Sequence, residues 1–144
     1  MKNNCPITLT KWKKEQDERE YQTLLDRQRA KLEPAFLEDR AVKVLELLSF
    51  DDHTGETIYK IYELLEGHPN NRAEFQSSYG ISKDQFSRFK DVVHNPTVSG
   101  YWARHAYEGE PKTLNPMSKR EAELFVREIA NRWLVSIRQE GGGN

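Results

Sequence analysis

The apolar positions of this chain recur mostly at helical spacing. Leu37, Ala41, Val44, Leu45 and Leu48 fall three or four residues apart, as do Ile58, Ile61, Tyr62 and Leu65. A stripe of that period is buried by packing one face of a helix against a core. The strongest stripe comes last, through Ala122, Phe125, Val126, Ile129, Ala130, Trp133 and Ile137. Ser118 and Glu121 precede it at capping-box spacing, so that hydroxyl and carboxylate can each satisfy a backbone N–H at the helix start.

The polar punctuation between the stripes sets the boundaries. Pro34 suits the first turn of a helix. Asp51 to Gly55 reads as a turn, Thr57 to Glu66 as a helix stopped by Gly67 and Pro69, and Asn71 to Tyr79 as a unit closed by Gly80. Ser82 caps the next helix, with Gln85 at its capping-box position. That helix ends at His94-Asn95-Pro96, because proline disfavours helical geometry in the residue before it. A loop through Gly100 leads to the aromatic segment Tyr101 to Tyr107, and a polar linker then runs to Pro116. Ile7 to Leu9 is the one short candidate strand. The pattern predicts an all-α fold, an irregular bundle of five or six helices with short connections.

The first segment departs from this pattern. From Thr10, which can cap it, to about Lys31, a charged helix carries apolar contacts only at Trp12, Tyr21, Leu24, Leu25, the stem of Gln28, and Leu32. Residues 1–33 are therefore read as a charged helical arm, 34–140 as the bundle domain and 141–144 as a frayed tail. The arm either lies solvated across the domain or packs on another copy of the chain, and a homodimer is expected in the second case.

Composition narrows the function classes. At 144 residues with 36% hydrophobic and 31% charged, one core suffices and the helices must turn charge to solvent. No apolar run reaches the roughly 18 residues of a membrane span, and the N-terminus lacks the apolar stretch of a secretory leader. A cytoplasmic protein with no membrane partner is expected. Cys5 is the only cysteine, which rules out an intrachain disulfide or a cysteine-rich zinc site. His53, His68, His94 and His105 show no metal-binding spacing, and neither a phosphate-binding glycine loop nor a serine elbow occurs. No metal and no cofactor are expected.

Net charge is −1, but its distribution is uneven. Residues 34–81 hold four Lys/Arg against nine Asp/Glu, whereas residues 82–106 hold four against two. The second stretch also carries His94 and Trp102, with His105 at its end, so a nucleic-acid surface would lie there. Lys83, Lys90, Trp102, Arg104 and His105 are its candidate contacts. Arg104 and His105 stand beside Tyr101, Trp102 and Tyr107, which together could stack bases and hold phosphates of single-stranded RNA. An aromatic loop packed on the bundle, with Arg104 paired to an acid of residues 34–81, is the structural alternative.

Two patterns in this region suggest chemistry. Residues 71–93, with Gly80 between two short helices and Lys83, Asp84, Ser87 and Lys90 on the second, resemble a helix-turn-helix, although Gln76 replaces the small residue usual at the crossing. Arg88 and His94 form the other. Histidine can move a proton near neutral pH and arginine can hold a phosphate, the pair that metal-independent RNA cleavage would use as catalytic residues. Six residues place them about 120° apart on a straight helix, so they converge only where the helix ends, as Asn95-Pro96 makes it do.

The Arg88 to His94 spacing resembles the R-x4-6-H motif of HEPN domains. So does the order of Ile58 to Glu63, Ser87 to Lys90, Ala103 to Ala106, Asn115 to Ser118 and the helix ending at Trp133, and the resemblance covers about residues 56–137. It implies a helical, homodimeric domain of bacterial defence or toxin–antitoxin systems that binds or cleaves RNA. HEPN motifs usually have a polar residue after the arginine, and here that position is Phe89. A protein-interaction or assembly domain without chemistry, using the charged arm and the acidic first half, is the competing reading.

Overall fold

The computed structural model describes residues 6–107 and 109–141. Cys5 and most of the expected tail, residues 142–144, lie outside that range. The described residues form seven α-helices and no strand: α1 (Pro6–Leu37), α2 (Asp39–Leu48), α3 (Gly55–Glu66), α4 (Arg72–Ser78), α5 (Lys83–His94), α6 (Pro96–Ser99) and α7 (Lys119–Gly141). The irregular helical bundle agrees with the sequence pattern, but the helix count exceeds the expected five or six. The additional one is α6, a single turn that Pro96 opens with Asn95 as its cap, the Asn95 carboxamide oxygen accepting from Thr97 N–H at 2.9 Å.

Two expectations for the first segment are corrected. Ile7 to Leu9 lie within α1, not in a strand, and α1 does not restart at Pro34 but runs through it to Leu37. Proline inside a helix forfeits one backbone hydrogen bond. Here the turn is held from outside: Pro34 is buried and, with Ala30 and Lys31, faces Leu45, Leu48 and Leu134 across a groove. Glu38 N–H also returns to the Pro34 carbonyl at 3.0 Å. The break comes at Glu38, whose extended backbone (φ −146°, ψ 120°) separates α1 from α2. Among the described residues no helix is long and apolar enough to cross a membrane.

Helix α3 is the centre of the bundle and packs against α2, α5 and α7. Its Tyr62 is fully buried among Phe75, Phe86 and Phe89, ring centroids 5.1 to 5.7 Å away. Its phenol accepts from the Gln76 side chain at 3.2 Å, which satisfies the one polar atom of an otherwise apolar cluster. Gln76, the large residue at the suspected helix-turn-helix crossing, thus serves the core of the bundle. Ile61, Val44, Val92, Val93, Val126 and Ala130, from four helices, complete the core.

The caps act where the sequence places them. Ser118 N–H donates to Glu121 Oε2 at 2.6 Å and Glu121 N–H to Ser118 Oγ at 3.1 Å, a reciprocal box at the start of α7. Ser82 accepts from Gln85 N–H at 3.0 Å at the start of α5. Gly80 turns the chain between α4 and α5 with φ +65°, and Ile81 N–H reaches back to the Gln76 carbonyl at 2.8 Å, the long bond of a Schellman motif. At the other end of α5 the approach of α3 is close. A Cβ on Gly55 would lie 2.5 Å from the Val93 carbonyl oxygen and 2.8 Å from that of Trp102, so only glycine lets α3 start there.

Candidate functional site

Helix α5 is buried on one side by Phe86, Phe89, Val92 and Val93, but a second, polar stripe runs along it at Arg88, Asp91 and Asn95. This stripe fastens the linker between Trp102 and α7. Met117 N–H donates to the Arg88 carbonyl at 3.2 Å, and the Arg88 guanidinium donates to the Asn115 carbonyl at 2.5 Å. The buried carboxylate of Asp91 accepts from the N–H groups of Lys112 and Thr113 at 3.1 and 2.7 Å, and from the Thr113 hydroxyl at 2.5 Å. Asn95, almost fully buried, donates to the Gly109 carbonyl at 3.0 Å. Residues 104–107 and 109–117 are therefore a strap pinned antiparallel to α5, without regular structure but held to that helix at each of these bonds.

The far end of this strap carries Arg104 and His105 to the end of α5. Arg104 N–H donates to the Val93 carbonyl at 2.7 Å and His105 N–H to the His94 carbonyl at 3.3 Å, which takes up carbonyls that a helix end leaves without partners. The imidazoles of His94 and His105 consequently lie side by side, ring centroids 4.8 Å apart and tilted by 32°. Tyr59, from α3, meets the His94 ring edge-on at 4.2 Å, and the Arg104 guanidinium lies over the Tyr59 ring at 5.1 Å. Three elements distant in sequence thus build one cluster of two imidazoles, a guanidinium and a phenol.

Electrostatics make the cluster receptive to anions. His94 is half-buried, and its Nδ1 is fully enclosed without a hydrogen-bond partner. Burial, followed by the charges of His105, Arg104, Lys90 and Lys112, lowers its pKa from 6.5 to about 4, so the ring is neutral at pH 7. Burial likewise raises the Tyr59 phenol. Glu56 lies within reach of the Arg104 charge but is engaged by Lys60 at 2.8 Å, and that hydrogen bond lowers the Glu56 carboxyl. Arg104 and His105 line an open recess of about 630 Å³ together with Pro96, Tyr101 and Tyr107. Both tyrosines are wholly exposed.

The residues expected from sequence divide into two groups. His94, Arg104 and His105 come together, whereas the Lys90 ammonium lies over the Phe86 ring at 4.8 Å and reaches His94 only through its charge. Arg88 is bound to the strap at Asn115, and the arginine beside His94 is Arg104. Lys83 is exposed at the start of α5. Trp102 is partly buried against the core, with its indole N–H donating to the His53 carbonyl at 2.6 Å; it latches the loop, and Tyr101 and Tyr107 occupy the open surface. Tyr59 and Lys112 were not among the expected site residues. The polar stripe Arg88, Asp91, Asn95 at helical spacing on a buried helix was the available signal that the linker folds back.

A slightly larger recess, about 670 Å³, lies on another face beside Arg40, Tyr79, Arg132 and Trp133. Its cations are already occupied: Arg40 donates to the Leu64 carbonyl and lies over Trp133, while Arg132 donates to the Tyr79 carbonyl and lies over the Tyr79 ring. Among the described residues no three His, Cys, Asp or Glu side chains are grouped as metal ligands would be. No family model, curated protein or solved structure matches the chain.

Proposed function

We propose that the His94–Arg104–His105 cluster binds single-stranded RNA and cleaves it with one imidazole as general base and the other as general acid. The observation that carries this reading is the convergence of the two histidine rings, 4.8 Å apart, with Arg104 over the adjoining Tyr59 ring. A phosphodiester has a charge that this set would neutralise, and Arg104 can offer two parallel N–H donors to its non-bridging oxygens.

RNA is favoured over DNA because the chain's own acid and base need a nucleophile already on the substrate. The 2′-OH supplies one. One imidazole takes the 2′-OH proton as the oxygen attacks phosphorus, and the other returns a proton to the departing 5′-oxygen, leaving a 2′,3′-cyclic phosphate. His94, neutral at pH 7 and with Nδ1 enclosed, is assigned as the base through Nε2, and His105, exposed beside Arg104, as the acid. Tyr101 and Tyr107 offer faces on which unpaired bases can stack. The reaction class is the one the HEPN resemblance implies, with Arg104 instead of Arg88 as the phosphate holder.

The test is cleavage of a mixed-sequence single-stranded RNA by the full chain in the presence of a chelator, with product ends identified by mass. Cyclic phosphate ends, lost in His105→Ala and His94→Gln while both variants keep their fold, are the expected result. Binding without cleavage that is weakened by Arg104→Ala would leave an RNA-binding site without catalysis. Neither binding nor cleavage would reject both parts.

A further inference from the structure

The arm of α1 presents a face that no other described residue covers. Residues 9–29 are exposed apart from Gln16, and Tyr21 and Leu24 are 63% and 52% open to solvent. A lone helix of this length gains little from its backbone and normally depends on burying one face. Lys14, Glu18, Tyr21, Leu25, Gln28 and Leu32 lie alternately four and three residues apart, the spacing of a coiled-coil seam, apolar at Tyr21, Leu25 and Leu32 and polar at the other three.

The charges beside that seam fix what can pair with it. The arm carries Glu15, Asp17, Glu18 and Glu20, with Arg19 among them and Lys11, Lys13 and Lys14 before them, and then a basic stretch of Arg27, Arg29 and Lys31 that Asp26 precedes. An antiparallel second copy, related by a twofold axis near Thr23, sets Tyr21 opposite Leu25 and Glu18 opposite Gln28. In the flanking positions Asp17 then meets Lys31 of the second copy, Glu15 meets Arg29, and Leu24 meets its own counterpart. All four flanking charged contacts of the pair are between opposite signs. A parallel arrangement would leave Asp17 beside Gln22 and Leu24 beside Arg29.

We propose that α1 is the interface through which two copies of this chain pair, antiparallel and centred on Thr23. The occupant is a second copy because the acidic residues and the basic stretch that complement each other lie on the same helix. The apolar centre at Tyr21, Leu24 and Leu25 supplies the attraction, and the exposed ion pairs set register and direction. Because α1 continues unbroken through Pro34, the two bundles stand at opposite ends of the pair, their Pro34 residues about 33 Å apart at 1.5 Å per residue. The RNA-binding clusters therefore remain separate, and the pairing does not depend on the RNA reading.

Sedimentation velocity of the full chain at concentrations up to about 100 µM tests this directly, since a self-associating species shifts with protein concentration. Wild type should sediment at twice the chain mass. The double variant Leu24→Asp with Leu25→Asp should sediment as a monomer with its thermal transition intact. Reversing Arg29→Glu with Lys31→Glu should weaken the dimer at least tenfold, and adding Glu15→Lys with Asp17→Lys should restore it. With Cys5→Ser, the pair Asp17→Cys and Lys31→Cys should form a disulfide between chains. A monomeric wild type, a dimer that survives the Leu24 and Leu25 changes, or a charge reversal without rescue would overturn the proposal.

Discussion

Lowering the pH from 7 to 5 probes the surroundings of His94 without any change in sequence. Folded His94 holds its proton less readily than in the unfolded chain, where its pKa is near 6.5, against about 4 in the fold. Below the unfolded value the unfolded chain therefore binds the extra proton, and the fold loses stability as pH falls from about 6.5 to about 4. Above about 6.5 both states are neutral and this contribution is flat. Full linkage gives a loss of about 1.8 kcal/mol between pH 7 and 5, and since the ring is only half-enclosed, about 1 kcal/mol is expected after solvent screening. Urea unfolding at both pH values, for wild type and His94→Gln, isolates it. Glutamine cannot titrate, while ionisable groups away from the cluster contribute alike to both proteins. The stability difference between the two should change by about 1 kcal/mol in the direction that penalises wild type in acid. A difference that stays constant would mean that His94 is not held neutral, and the electrostatic description of the cluster would be wrong.

Other perturbations address the frame around the site. Asp91→Ala removes three hydrogen bonds to a buried carboxylate and should cost about 2 to 4 kcal/mol by thermal or urea unfolding, with faster hydrogen exchange at the Lys112 and Thr113 amides. Gly55→Ala sets a methyl group against two carbonyl oxygens and should destabilise by about 1 to 3 kcal/mol, whereas Gly109→Ala, which meets open space, should change stability by less than about 0.5 kcal/mol. Arg104→Lys, at an exposed position, should leave the unfolding curve unchanged and weaken RNA binding about tenfold, because the forked donor pair is lost; an unchanged affinity would remove Arg104 as the phosphate holder.

Much of the bundle was legible because its causes are local. The stripe through Ala122, Val126 and Trp133 and the Ser118–Glu121 box marked α7 from both ends, and Ser82 and Asn95-Pro96 did the same for α5. The passage of α1 through Pro34 was not, since the proline's local preference was overridden by packing against α2 and α7. Nor was the break at Glu38, where neither glycine nor proline signals an end.

The site divides along the same line. His94, Arg104 and His105 stood out because basic and aromatic residues cluster there, but their meeting depends on a chain reversal through Gly100 and a strap pinned by Asp91 and Asn95. Spacing along one helix favoured Arg88 as the partner of His94. The partner actually delivered, Arg104, lies ten residues beyond His94 and is positioned by backbone hydrogen bonds that no side-chain pattern announces. Tyr59 was hidden for a related reason: it borders the apolar stripe of α3 and reads as one more core position.

The most direct test of the central claim is to follow the imidazole resonances of His94 and His105 by NMR in the full chain, with and without a short single-stranded RNA. An RNA phosphate at the cluster should perturb both rings and raise the titration midpoint of His94 from about 4, because an adjacent anion favours the protonated ring. Resonances and midpoint unmoved at saturating RNA would show that the phosphate does not lie between these histidines, and the proposed function would fail with it.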